Sequence, residues 1–337
     1  MSSIRDIAKL AGCSVSTVSR VLNNREAVAP QTRMIVSDAI RQLEYTPSLT
    51  ARGLRAKQDR LIGLAVPVSS AGAFSLIIQH AIDSTYKYGY HLLLVNTHED
   101  PELEENFIGG LFQRNISGIV LSRVSDDSVI LKKIVQHNIP IVVIDRAFAH
   151  ENVPNVVLDN HGAGYLAGRH LLNLGHRRLA CITGPMKITL CRERLAGFSQ
   201  ALGEQGMTLD QAWIFEGDFK LDSGIWGVRE LWSRGCDFTG IWAMNDWMAF
   251  GVLKELHSKG VKVPDEVSVL GMDDTELAVA VSPSLTTIKY PFDVLVEKAF
   301  ELLVSQIEKQ VLLTKTAVIE PGITVRESTS MFNPRGS

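Results

Sequence analysis

The chain has 337 residues, 45% of them hydrophobic and 21% charged, with a formal net charge of −3. This length can bury a large core and hold more than one domain, and the composition excludes a disordered chain. No apolar run reaches the length of a membrane span, and MSSIRDIAKLAGCS lacks the basic start and apolar stretch of a signal peptide, so a cytoplasmic protein with no membrane partner is expected. Cys13, Cys181, Cys191 and Cys236 are scattered, with no C-x-x-C and no zinc spacing; they are expected as reduced, buried thiols, with no metal and no cofactor.

The charge is unevenly spread. Through Arg60 there are ten Lys/Arg against five Asp/Glu, and beyond it 24 against 32. A basic head on an acidic body suggests that the head meets a polyanion, although clustering by chance in so short a window would give the same counts.

Helical spacing begins at once. Ile4, Ile7, Ala8 and Ala11 share a face, with Ser2 or Ser3 available as N-cap and Gly12 as the stop. Ser14 can cap a second helix over 15–22, whose apolar face is Val18, Val21 and Leu22. A third helix starts near Pro30, with a buried stripe of Ile35, Val36, Ala39, Ile40 and Leu43, and ends before Tyr45-Thr46-Pro47. Two short helices joined by a tight glycine turn make a helix-turn-helix, whose second helix enters the major groove. Its outward residues suit that task. Arg20 can donate a fork of hydrogen bonds to guanine, Ser16 can donate or accept, and Val15 can pack on a thymine methyl. Ser14, Thr17, Ser19 and Asn23 are short groups of the kind that fix phosphates. A small bundle with a solvated face would explain the stripes, but not the near-absence of charge on that face.

The run IRDIAKLAGCSVSTVSRVLN, followed by TR in the third helix and YTP at its end, resembles the DNA-binding head of the lac repressor/galactose repressor family. The resemblance implies that the next segment, SLTARGLRAK, is a hinge that becomes helical when two copies meet on DNA. Leu54 would then enter the minor groove as a wedge, with Arg55 beside the phosphates. Leu54 packing on the body is the alternative.

From Leu61 the pattern alternates strand and helix. Apolar runs at 61–68, 91–97, 118–123 and 140–145 read as strands buried on both faces of a parallel sheet, with helices around 77–88 and 102–113. A second series follows at 178–184, 213–218, 240–246 and 267–274, which implies two lobes. Ligands of such sheets sit beyond the carboxyl ends of the strands. The polar residues there, from Ser69 to Phe74, then Asp145-Arg146, Asp218-Phe219, Asn245-Asp246 and Asp273-Asp274, together with Arg194, would suit a polyhydroxylated ligand: carboxylates and amides for hydroxyl pairs, an aromatic face for a sugar ring. Singly, each is as well explained as a strand end or a helix cap.

GHRRLACITGP, RERLAGF, EGDF, AMNDWMAFGVL, VPDEVSVLGMDD and SPSLTTI resemble body segments of the same family in the same order. The implied fold is an all-α helix-turn-helix head plus an α/β body of two doubly wound parallel-sheet lobes, similar to periplasmic sugar-binding proteins. The implied boundaries are 1–47 for the head, 48–58 for the hinge and 59–337 for effector binding and dimerisation. Lobe 1 would span about 60–159 and 291–319, and lobe 2 about 160–290 and 320–330. Asp145, Arg194, Phe219, Asn245 and Asp273 match positions that contact effectors in relatives; Arg146 is present in some members only. The chain ends without leucine heptads, so a homodimer is expected rather than a tetramer. Ser48 stands where many members have Asn.

The reading that follows is a dimeric repressor of a carbohydrate-use operon, bound to a pseudo-palindromic double-stranded operator and released by a sugar or sugar-like effector. A nucleoside, purine or sugar-phosphate effector is the alternative. A transport protein is disfavoured because the head would be idle. An enzyme is disfavoured because G-x-G-x-x-G, P-loop, G-x-S-x-G and H-E-x-x-H motifs are absent, and because His170, His176 and His257 read as surface or structural residues.

Overall fold

The computed structural model describes residues 3–22, 28–43, 60–67, 73–98, 100–112, 114–122, 133–134, 136, 138–146, 148, 153–310 and 316–333. The chain divides into two compact units, 1–59 and 60–337.

The first unit holds three helices, α1 (Ile4–Leu10), α2 (Val15–Leu22) and α3 (Pro30–Gln42). Ser3 and Asp6 close a capping box on α1: the Asp6 amide donates to Ser3 Oγ, and the Ser3 amide donates to Asp6 Oδ2 at 2.8 Å. Ser14 caps α2 through the Thr17 amide at 3.1 Å, and Pro30 occupies the first turn of α3. Ile7, Ala8, Val18, Val36 and Ala39 form the core. Ile35 departs from expectation, being 47% exposed. It lies about 100° round the helix from Val36, on the margin of a stripe centred on Val36, Ala39, Ile40 and Leu43.

The second unit contains two six-stranded sheets. The first has the order β11-β5-β4-β3-β1-β2, from β1 (Leu61–Val66), β2 (His91–Asn96), β3 (Gly118–Ser122), β4 (Ile141–Ile144), β5 (Asn155–Leu158) and β11 (Thr316–Ile319), all parallel. The second has the order β12-β10-β9-β8-β6-β7, from β6 (Leu179–Thr183), β7 (Ile214–Glu216), β8 (Gly240–Ala243), β9 (Ser268–Asp273), β10 (Thr286–Lys289) and β12 (Gly322–Thr324). Only β12 runs antiparallel to its neighbour. Helices α4 (Ala73–Tyr88) and α5 (Pro101–Phe112) follow the first two strands. The later series is α6 (Asn160–Asn173), α7 (Thr189–Gly203), α8 (Leu221–Ser233), α9 (Asp246–Ser258), α10 (Leu277–Ala280) and α11 (Phe292–Ile307).

The chain passes between the sheets three times, after β5, after β10 and after β11. α11 returns to pack on β3, β4 and α4. Two of the passages touch, since the Asp159 amide donates to Ile319 O at 2.9 Å. β5, β10, β11 and β12 lie outside the apolar runs expected as strands. Each is three or four residues long, too short to show a period, and TTIK and TAVI carry threonine where a buried strand is recognised by unbroken aliphatics. The run at 213–218 overshot: Trp213 closes a 3₁₀ turn, and only Ile214–Glu216 is strand.

Candidate functional site

In the head, Val15, Ser16 and Arg20 are exposed; Ser16 and Arg20 lie on the side of α2 opposite the buried Val18, and Val15 is exposed at the helix start. Ser14 Oγ hydrogen-bonds both Ser16 Oγ at 2.7 Å and Thr17 Oγ1 at 2.8 Å, so these hydroxyls hold one another at the start of the helix. Ser19 is half-buried. Asn23, Leu54 and Arg55 lie outside the described residues.

In the body, the carboxyl ends of the strands supply a cleft. Arg194, on α7, is only 4% exposed. Its Nε donates to Asn160 Oδ1 at 2.9 Å and its Nη1 to Met244 O at 3.1 Å. Two glycines permit this. A Cβ on Gly164 would lie 1.8 Å from Arg194 O, and one on Gly197 would lie 1.9 Å from His161 O. α6 and α7 therefore cross at backbone contact, which brings Arg194 to Asn160. Asn160 Nδ2 donates back to Leu158 O at 3.3 Å, tying the arginine to the first passage between sheets.

Around Arg194 stand acids that burial keeps protonated longer than usual. Burial pushes Asp273 well above the ordinary carboxylate range, and the charge of Asp246 adds to that; Arg194 pulls it the other way. Asp246 is pushed up to about 6 by burial, against hydrogen bonds from Thr287 Oγ1 at 2.6 Å and from Thr275 N and Oγ1 at 2.8 and 2.9 Å. Tyr290 OH donates to Asp145 Oδ1 at 3.2 Å, and burial, with the Asp145 charge, raises the phenol. The structure thus gathers Asp145, Arg194 and Asp273, and adds Asn160, Asp246 and Tyr290. Asn160 and Tyr290 follow β5 and β10, so looking beyond strand ends would have found them had those strands been recognised. Arg146 lines a cavity beside this group.

Phe219 and Asn245 form a second pair. The Asn245 amide is spent on structure: Oδ1 accepts the Met248 amide as N-cap of α9, and Nδ2 donates to Phe219 O at 2.8 Å. The Phe219 ring lies on Gly184, where a Cβ would come within 2.1 Å of it. Phe74 is half-buried in the first turn of α4 and packs on the core.

Asp145, Phe219, Asp273 and Asp274 all have positive φ, of 68°, 67°, 124° and 60°. Such backbone costs free energy in a non-glycine residue and collects at working sites. Among the described residues no group of three or more His, Cys, Asp or Glu could hold a metal ion. His176 is buried, with Nδ1 on Thr239 Oγ1 and Nε2 on Ser330 O; His170 Nε2 meets Thr329 Oγ1. Both histidines hold the C-terminal segment. No described helix is long and apolar enough to cross a membrane.

A helix-turn-helix head on a body of two parallel-sheet lobes defines a DNA-binding regulator built on a periplasmic-binding-protein-like fold. Residues 3–48 match the family described as bacterial regulatory proteins, lacI family, and residues 169–329 match the periplasmic binding protein-like domain. Over 335 residues, 99% of the chain, it is 34% identical to the whole of the HTH-type transcriptional repressor PurR of Vibrio parahaemolyticus serotype O3:K6 (strain RIMD 2210633). It is 35% identical over 330 residues to PurR of Klebsiella pneumoniae (strain 342), covering 97% of each chain. The structure of the lac repressor dimer bound to operator and the anti-inducer ONPF is similar over 98% of this chain and 99% of that one, at 27% identity and a TM-score of 0.87. The CelR–cellobiose complex is similar over 97% and 100%, at 30% identity and a TM-score of 0.74. The chain belongs to the lacI family of bacterial regulatory proteins. It is a DNA-binding repressor and not an enzyme.

Proposed function

We propose that this repressor binds a pseudo-palindromic operator as a homodimer in the cytoplasm and is released by a sugar or sugar-like effector of a carbohydrate-use operon. Val15, Ser16 and Arg20 read bases; Ser14, Thr17, Ser19 and Asn23 hold phosphates; Leu54 and Arg55 act in the minor groove. Asp145, Arg146, Arg194, Phe219, Asn245 and Asp273, with Phe74, make the effector site. The observation that carries this reading is the buried Arg194 set among Asp145, Asp246 and Asp273. Alternating fixed donors and acceptors match the adjacent hydroxyls of a sugar, each of which both donates and accepts. A coupling of about 1–3 kcal/mol between effector and operator suffices for control.

A purine in the same cleft is the second reading, favoured by the curated relatives named PurR. An operator-binding titration with the full chain, repeated with candidate sugars and purines, tests both. Arg194→Ala is expected to keep operator affinity and lose every ligand response, Arg20→Ala the reverse. Leu54→Ala is expected to lose DNA bending with ligand affinity unchanged. A normal ligand response in Arg194→Ala would remove that residue from the site.

A further inference from the structure

A cavity of about 380 Å³ opens beside the cleft, walled by Val157, Leu190 and Val318 on apolar side chains and by Arg146, His161 and Glu193 on polar ones. It shares Asp145 and Asn160 with the acid-and-arginine group already described, so the cavity adjoins that group. Its size lies in the range of small-molecule pockets, enough for one further ring beside a ligand held by Arg194. Glu193 is the unassigned feature. It stands one helical position before Arg194, is exposed, and makes no hydrogen bond or ion pair among the described residues. The other two carboxylates of the cavity are engaged: Asp159 accepts the Gly162 amide at 2.8 Å as the cap of α6, and Asp145 accepts the Tyr290 hydroxyl.

Resting on the reading of the cleft as the effector site, we infer that this cavity takes the outer half of a two-part effector, and that Glu193 selects an outer half that is uncharged or cationic and donates hydrogen bonds. The apolar wall accepts one face of a ring. The lining holds three carboxylates, those of Asp145, Asp159 and Glu193, and a single guanidinium, that of Arg146. A phosphate or carboxylate placed there would meet like charge in a partly desolvated space, whereas a hydroxyl or amine would supply the donor Glu193 lacks. Glu193 is a specificity residue, separate from the group that holds the inner half.

The test is calorimetric titration of the full chain with five probes: cellobiose, cellobiose 6′-phosphate, the glucosamine dimer, adenosine and adenosine 5′-monophosphate. In the wild type each phosphorylated probe is expected to bind about tenfold or more weakly than its neutral counterpart. Glu193→Lys is expected to close or invert that gap, and Glu193→Gln to remove any advantage of the glucosamine dimer over cellobiose. Phosphorylated probes bound as tightly as neutral ones, or a gap unchanged by Glu193→Lys, would overturn the selector while leaving the cleft reading intact if Arg194→Ala still abolishes binding. Failure of all five probes to bind the wild type would overturn both.

Discussion

Asp246 is a fully buried carboxyl that ties Thr275 and Thr287 to the start of α9. Its carboxyl is pushed up to about 6 by burial, despite three hydrogen bonds from Thr275 and Thr287. A carboxyl that keeps its proton longer in the folded state than in the unfolded one stabilises most below its unfolded value. That contribution is lost as pH rises from about 4 to about 6, and it is constant above. Asp246→Asn keeps acceptors for Thr275 and cannot ionise. The variant is therefore expected to gain on the wild type by about 2–3 kcal/mol between pH 4 and pH 7. Denaturant unfolding at a series of pH values measures this, and a pH-independent difference would contradict it. Cys191, one turn from Arg194, shows the same burial: its thiol is pushed up to about 11, and it behaves as a small apolar side chain.

At the scale of elements, the decisive contact is the crossing of α6 and α7. Backbone approaches side to side only where glycine stands, and Gly164 and Gly197 meet the carbonyls of Arg194 and His161. Gly197→Ala would drive a Cβ to within 1.9 Å of His161 O, and backbone cannot rotate away as a side chain can. The expected loss is about 2–3 kcal/mol, accompanied by weaker effector binding because Arg194 rides on the same helix. Unfolding and ligand titration on one preparation check both effects; loss of stability with unchanged ligand affinity would separate the crossing from the site. Phe219 follows the same logic, its ring resting where Gly184 lacks a side chain, with Asn245 holding its carbonyl.

At the scale of the whole molecule, the body is two sheets joined by three passages, and polar clamps sit at those passages. Asn160 holds the first to Arg194, and Tyr290 holds the second to Asp145. At the third, Asp274 accepts Arg326 Nη2 at 2.5 Å and Thr324 Oγ1 at 2.9 Å. Asp274 directly follows Asp273 in the chain. The Arg326–Asp274 pair is largely buried, at 16% and 15% exposure, and removing one partner strands the other charge. Asp274→Ala is expected to destabilise the unit 60–337 by about 3 kcal/mol, with hydrogen-exchange protection lost first around Gly322–Thr324 and the head unaffected. Unchanged protection in that strand would show that the clamp is not what holds it.

What the residues alone determined was whatever depends on neighbours in the chain. Helical periods, Ser3, Ser14, Gly12 and Pro30 as punctuation, and long aliphatic runs are local, so the three head helices and eight of the strands could be read directly. Arg194 and the acids at strand ends were legible as types, because polar groups beyond parallel strands point to a ligand. Tertiary structure alone decided which of them meet. Short strands such as TTIK exist because a sheet edge accepts them, and Asn160 and Tyr290 enter the cleft only through those strands. Asn245 was legible as polar, but its commitment to a helix cap and to Phe219 depends on a contact 26 residues away in the chain. The abnormal proton affinities of Asp246 and Asp273 have the same origin: a carboxyl's charge state answers to the charges and dielectric around it, and these are set by packing between distant segments.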